Sequence, residues 1–232
     1  VLVTGGAAGI GRAIAEESVA RGYETIVIDR DAADVGLSIQ ADLSDVESTA
    51  AALEEALTGG PITRLVNNVG AVFPAPVEEQ TLAQVEAAFA LNLRCAVQCT
   101  QALIPGMREV GFGRVVNMAS RAALGKELRT AYAASKAGLI GLTRVWALEL
   151  GAAGITVNAL GPGPIATELF NRANPPGDPR TEAIVQSVPV KRVGTPADVA
   201  HATWFFLDDR SGFVTGQVLY VCGGITVGTA PL

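Results

Sequence analysis

The sequence predicts an α/β protein: a parallel β-sheet with helices packed on both faces. Three observations carry that expectation. Short apolar runs alternate with helical patterns from one end of the chain to the other. The runs are four to six residues long and apolar nearly throughout, as strands buried on both faces must be. A glycine-rich turn follows the first run and opens the first helical pattern, as in a βαβ crossover. Composition agrees. The chain is 49% hydrophobic and only 17% charged, so most elements must bury much of their surface, which excludes a disordered chain. A length of 232 residues suits one good-sized domain, and residues 1–232 read as a single unit without linker or repeat.

The elements follow in order. "VLV" is the first strand, and a helix is expected over about 10–21. "ETIVID" and "LSIQADL" are the second and third strands, followed by a helix at about 45–57. "ITRLVNNVG" holds a fourth strand. One long amphipathic helix is expected over about 82–109. "GRVVNMAS" is a fifth strand, a helix runs over about 131–151, and "GITVNAL" is a sixth strand. Residues 161–195 are rich in Pro and Gly and read as an irregular stretch. Flanked by ordered strands, it is expected to form a loop that covers a site, over about 165–195. A helix at about 196–207 and the strand "GQVLYVCGG" close the pattern.

Charge and cysteine usage narrow the function classes. The net charge is -6 and no basic stripe exists, so nucleic acid is not an expected partner. Three cysteines, Cys95, Cys99 and Cys222, make no disulfide framework and suit a reducing, cytoplasmic location. With a single histidine, His201, no metal site is expected. No run of about twenty uncharged apolar residues is present, so no membrane span is expected. No signal peptide is seen either. The chain opens inside a strand and without Met, so residues are expected to precede Val1.

Two features carry chemistry. The first is "TGGAAGIG", Thr4 to Gly11, between a strand and a helix. Glycines there let the backbone turn tightly and approach a pyrophosphate, while the helix N-terminus offers free N–H groups. Gly5, Gly9, Ile10 and Gly11 are therefore candidate cofactor-binding residues. The second strand ends in Asp29, about twenty residues on, where a carboxylate can accept from both ribose hydroxyls of an adenosine and repel a 2′-phosphate. That favours NAD over NADP. The adjacent Arg30 works the other way, because an arginine can pair with that phosphate. Asp29 can also simply cap a turn.

The second feature is "AYAASKAG". Tyr132 and Lys136 stand four residues apart, on one face of an otherwise apolar helix. A phenol has a pKa of ~10, too high for a base near neutrality. A nearby ammonium is expected to lower it, giving an acid/base pair suited to the proton of an alcohol.

Residues 1–224 resemble the classical short-chain dehydrogenase/reductase family. The motifs are "TGGAAGIG", "ADL" at 41–43, "NNVG" at 67–70, "ALNL" at 90–93, "NMAS" at 117–120, "YAASK" at 132–136, "NALGPGPIAT" at 158–167 and "VCGG" at 221–224. Each is weak alone, but their order and spacing are specific. The resemblance implies a single-domain Rossmann-type fold, a doubly wound parallel sheet with helices on both faces. It implies Tyr132 as catalytic acid/base, with Lys136 also bonding the nicotinamide ribose. Ser120 would hold the substrate oxygen, and Asn92 would bind a water that links Lys136 to solvent. Asp42 and Leu43 would meet the adenine, and Asn68 and Gly70 the adenosine side. Pro162, Gly163, Ile165 and Thr167 would seat the nicotinamide carboxamide. A homotetramer built through the two long central helices is also implied.

Three departures from the family pattern stand out. Gly161 replaces the usual Ala or Ser, and Cys222 stands where many members have Asp. The segment between Ser120 and Tyr132 carries Arg121, Lys126, Glu127 and Arg129, an unusually charged set, suited to a solvated loop or a subunit contact, or to an anionic or polar substrate. The expected activity is NAD-dependent interconversion of a secondary alcohol and a ketone. The alternatives are a ketoacyl-carrier-protein reductase using NADPH, and a catalytically silent NAD-binding scaffold.

Overall fold

Seven parallel strands form one sheet in the order β3-β2-β1-β4-β5-β6-β7. The computed structural model describes residues 1–175 and 177–227. Residue 176 of the expected covering loop, and residues 228–232 of the expected single unit, lie outside the described residues.

The strands are β1 (Leu2–Thr4), β2 (Ile26–Asp29), β3 (Leu37–Gln40), β4 (Arg64–Asn67), β5 (Gly113–Met118), β6 (Ile155–Leu160) and β7 (Val218–Leu219). Successive strand residues point to opposite faces, so each apolar run feeds two cores. Leu2, Ile28, Leu65, Val115 and Val157 pack on one face, against α2 (Val46–Leu57), α4 (Cys95–Val110) and α5 (Thr130–Leu150). Their neighbours Val3, Val27, Val66 and Val116 pack on the other, against α1 (Gly9–Ala20) and α8 (Pro196–Leu207). This two-sided burial explains the absence of polar alternation in the strands.

Three expectations need correction. The helix expected over 82–109 is not continuous: α3 (Leu82–Phe89) and α4 are joined by a π-helical turn over Ala90–Arg94. The turn inserts one residue into the helical repeat, a change that apolar periodicity does not register. The stretch 161–195 is not irregular throughout, since it holds α6 (Glu168–Ala173) and α7 (Pro179–Ser187). Thr167 and Asp178 cap them by accepting from the N–H groups of Phe170 and Arg180, and Pro179 occupies the first turn, where it costs no hydrogen bond. The last strand is two residues, not nine. Beyond it, the backbones of 161–163 and 219–221 still pair in the register of β6 and β7: Gly161 N–H donates to Leu219 O (2.9 Å), Val221 N–H to Gly161 O (3.2 Å) and Gly163 N–H to Val221 O (3.0 Å).

Among the described residues, no helix is long and apolar enough to cross a membrane.

Candidate active site

In an open parallel sheet the ligand crevice lies beyond the carboxyl ends of the strands, where the strand order reverses. Here that point falls between β1 and β4, and the candidate residues gather around it.

The glycine turn leaves β1 at Gly5 and enters α1 at Gly9, both with positive φ (68° and 57°). A Cβ on Gly11 would lie 2.0 Å from Gly5 O, so only glycine permits this approach of helix and turn. Ala8 at the N-cap provides no side-chain cap, and the first turn of α1 contains no acid. The N–H groups at this helix end are therefore open to an anion, and the site fits the pyrophosphate of a dinucleotide.

Asp29 ends β2 beside the turn. Its Oδ2 accepts from Ala7 N–H (2.9 Å) and its Oδ1 from Asp31 N–H (3.2 Å). The carboxylate thus ties the turn to β2 and remains half-buried at its edge. Arg30 is open to solvent: its side chain is 82% exposed and pairs with Asp31 at 3.5 Å. Asn68 is committed to bracing the turn, with Nδ2 donating to Thr4 O (3.0 Å) and Gly5 O (2.9 Å). Thr4 Oγ1 in turn accepts from the N–H groups of Asn68 and Val69. Asp42 lies exposed, its carboxylate held by the N–H and hydroxyl of Ser44, which keep its pKa below the ordinary value. Leu43 buries its side chain in the core.

The second group converges from β5, α5 and the π turn. Lys136 is 3% exposed and donates from Nζ to Met118 O at 2.7 Å, at the end of β5. Asn92, 1% exposed, is projected by the π turn against Ala71: Oδ1 accepts from Ala71 N–H (2.7 Å), while Nδ2 donates to Ala71 O and Ser135 Oγ (both 3.0 Å). Gly70 completes this corner. A Cβ there would lie 3.0 Å from Asn92 Oδ1 and 3.2 Å from Lys136 Nζ, so a side chain would crowd both. Ser120 follows β5, with Oγ accepting from Ala122 N–H (3.1 Å).

The electrostatics differ from the sequence expectation. Burial pushes the Tyr132 phenol above its ordinary pKa, and Ser120 and Arg129 pull it partly back. Lys136 does not lower it: the ammonium sits 5.8 Å from the ring centroid and is turned to Met118 O. Burial also acts on Lys136, bringing its pKa down to about 8. Arg129, three residues before Tyr132, was visible in the sequence only as one of a charged set.

The third group is the loop after β6. Pro162 O accepts from Arg121 N–H (3.0 Å), Ile165 is bridged to Gly194, and Thr167 reaches the glycine turn, with Cγ2 3.3 Å from a Cβ built on Gly9. The departures at Gly161 and Cys222 have local causes. A Cβ on Gly161 would strike the Tyr220 ring at 2.4 Å, and Cys222 Sγ lies 3.2 Å from Thr226 Oγ1.

A parallel sheet with an uncapped glycine-rich helix end at its reversal point, and a half-buried Tyr132 with a buried Lys136 alongside, defines a nucleotide-binding α/β protein. Over residues 5–226 the chain matches the family described as enoyl-(acyl carrier protein) reductase. It belongs to the short-chain dehydrogenase/reductase family of oxidoreductases. It is 36% identical to a (2S)-[(R)-hydroxy(phenyl)methyl]succinyl-CoA dehydrogenase subunit, BbsD, of Thauera aromatica, over 96% of this chain and 94% of the relative. It is also 36% identical to an acetoacetyl-CoA reductase of Shinella zoogloeoides, over 96% of each. Among solved structures, a provisional NAD(P)-dependent gluconate 5-dehydrogenase from Beutenbergia cavernae, with NADP bound at low occupancy, superposes with a TM-score of 0.90. That chain is 34% identical, and the match covers 98% of this chain and 96% of the other.

Proposed function

We propose that the protein interconverts a secondary alcohol and a ketone with NAD, using Tyr132 as general acid/base. The observation that carries this reading is the convergence of a half-buried phenol and a buried ammonium beside Ser120, at the carboxyl end of the sheet. A nicotinamide dinucleotide bound in the crevice supplies or accepts the hydride. Gly5, Gly9, Ile10 and Gly11 hold its pyrophosphate, and Asp29 takes the adenosine ribose. Asp42, Leu43, Asn68 and Gly70 line the adenosine side. Pro162, Gly163, Ile165 and Thr167, with Tyr132 and Lys136, position the nicotinamide end.

In the oxidising direction the Tyr132 oxygen takes the hydroxyl proton, and the Ser120 hydroxyl donates to the substrate oxygen and stabilises its developing charge. Arg129 favours the phenolate, and protonated Lys136 adds to it once the polarity of the filled site offsets its burial. The proton leaves through Lys136, past Gly70, where Asn92 Oδ1 and the Ala71 backbone order a relay. The segment 165–195, with α6 and α7, covers the substrate and excludes water. Residues 1–232 act as one unit. The exposed apolar face of α5 supports a homotetramer, and three free cysteines support the cytoplasm.

A second reading is an NADPH-dependent ketoacyl reductase. The acetoacetyl-CoA reductase among the relatives and the NADP in the similar structure favour it, and Arg30 is exposed enough to meet a 2′-phosphate. Ketone-dependent oxidation of NADH against NADPH separates the two. The half-buried carboxylate of Asp29 predicts a kcat/KM preference for NADH of about tenfold or more. A preference for NADPH would overturn the NAD assignment. NAD binding without turnover of any ketone would point instead to a silent scaffold.

A further inference from the structure

Beside Tyr132 lies a concentration of positive charge of which the proposed chemistry uses only Arg129. Arg121 directly follows Ser120, and its N–H is fixed to Pro162 O at 3.0 Å. Arg129 caps the start of α5, its backbone bridged to Ala75, three residues before Tyr132. Lys126 lies between them in the chain, within electrostatic reach of both. Arg180 enters from the first turn of α7, on the covering segment, and its charge bears on Lys126 and Arg129 alike.

Among the described residues, none of these four cations is in an ion pair. The pairs there belong to Arg12, Arg21, Arg30, Arg64, Arg172, Arg192 and Arg210. Glu127 is the one acid between Ser120 and Tyr132, and Glu182 lines the cavity between α6 and α7. Leu128, just before Arg129, has a φ of 59°, one of two non-glycine residues with positive φ among the described residues. Strain of this kind is retained where surrounding structure fixes a residue for a purpose. Arg121 and Arg129 thus flank Ser120 and Tyr132 within one short segment, and with Lys126 and Arg180 they make four cations outside any ion pair among the described residues, a set that an anion would neutralise.

We propose that Arg121, Lys126, Arg129 and Arg180 form a collar for an anionic oxo-acid group, carboxylate or phosphate, carried by the substrate beyond its reacting carbon. The proposal rests on the dehydrogenase reading of the Tyr132 site and narrows its substrate to an anionic hydroxy or oxo compound. Guanidinium forks suit both groups, since each offers paired oxygens. Because Arg180 arrives with α7, the same anion draws the covering segment toward the loop before α5. The collar also steers anions to the site from a distance, an effect that salt weakens.

The test uses two matched pairs of ketones with saturating NADH: acetoacetate against methyl acetoacetate, and dihydroxyacetone phosphate against dihydroxyacetone. The collar predicts a kcat/KM higher by about tenfold for the charged member of at least one pair. Which pair responds tells carboxylate from phosphate. The preference should fall toward parity in Arg129→Gln and in Arg121→Gln. Neutral ketones turned over as well as both anions, or an anion preference unchanged in both variants, would overturn the collar. If none of the four compounds reacts, binding of acetoacetate and of dihydroxyacetone phosphate to the enzyme–NADH complex is read from nucleotide fluorescence. Binding weakened by Arg129→Gln keeps the collar while the dehydrogenase reading fails, and no binding of either anion removes the collar.

Discussion

At the scale of the residue, burial works on both ionisable groups of the pair. It favours the neutral phenol on Tyr132 and the neutral amine on Lys136. The spacing of the two residues was legible in the sequence, but the direction of these shifts was not. Helical spacing places side chains on one face without telling how much water they lose, or that Lys136 turns to Met118 O rather than to the phenol. The same limit holds for Asn92, whose partners Ala71 and Ser135 lie far away in the chain. Lys136 also makes a pH-dependent contribution to stability. Its folded pKa is about 8 against an ordinary 10.5, so between these values the unfolded chain binds more protons than the folded one. Folding stability therefore gains from this group as pH rises from about 8 toward 10.5, and below about 8 the folded state carries the full cost of a buried charge. Urea unfolding of the wild type and Lys136→Met across that window should show the wild type gaining on the variant with rising pH. A constant difference would mean that Lys136 titrates as if exposed.

At the scale of the element, α5 has two tasks. Its inner face presents Ser135, Lys136, Leu139 and Thr143 to the site and the core. Its outer face carries Ala134, Ala137, Gly141, Val145 and Leu148, an apolar stripe flanked by exposed Arg144 and Glu149, on which Leu148 is 87% exposed. An apolar stripe of this kind on a helix is suited to burial against a second copy. Leu148→Glu should therefore shift the protein to a smaller assembly in sedimentation, from the tetramer proposed for the wild type. A wild-type mass equal to one chain would contradict that assembly. Elements also set the limit of what periodicity reveals. The helix 82–109 was legible as apolar spacing, yet its π turn at Ala90–Arg94, which carries Asn92, was hidden because one extra residue barely disturbs the pattern. Residues 161–195 were obscured differently. Their prolines read as breakers, although Pro179 opens a helix rather than ending one.

At the scale of the whole molecule, the fold follows from two-sided burial. Leu2 and Val3, or Leu65 and Val66, face opposite cores, and a chain of such strands joined by helices can only wind into a parallel sheet covered on both sides. That is why the architecture was readable from short apolar runs. The reversal of strand order between β1 and β4 then places the glycine turn, Asp29 and the Tyr132 corner along one crevice. The substrate end of that crevice was the least legible part. It is built by the loop before α5 and by α6 and α7, where composition follows no repeat. The central claim is that Tyr132 moves the proton, and ketone-dependent oxidation of NADH by Tyr132→Phe tests it most directly. The account predicts a loss of turnover of about 10²–10⁴-fold, with NADH binding retained. Undiminished turnover in that variant would contradict it.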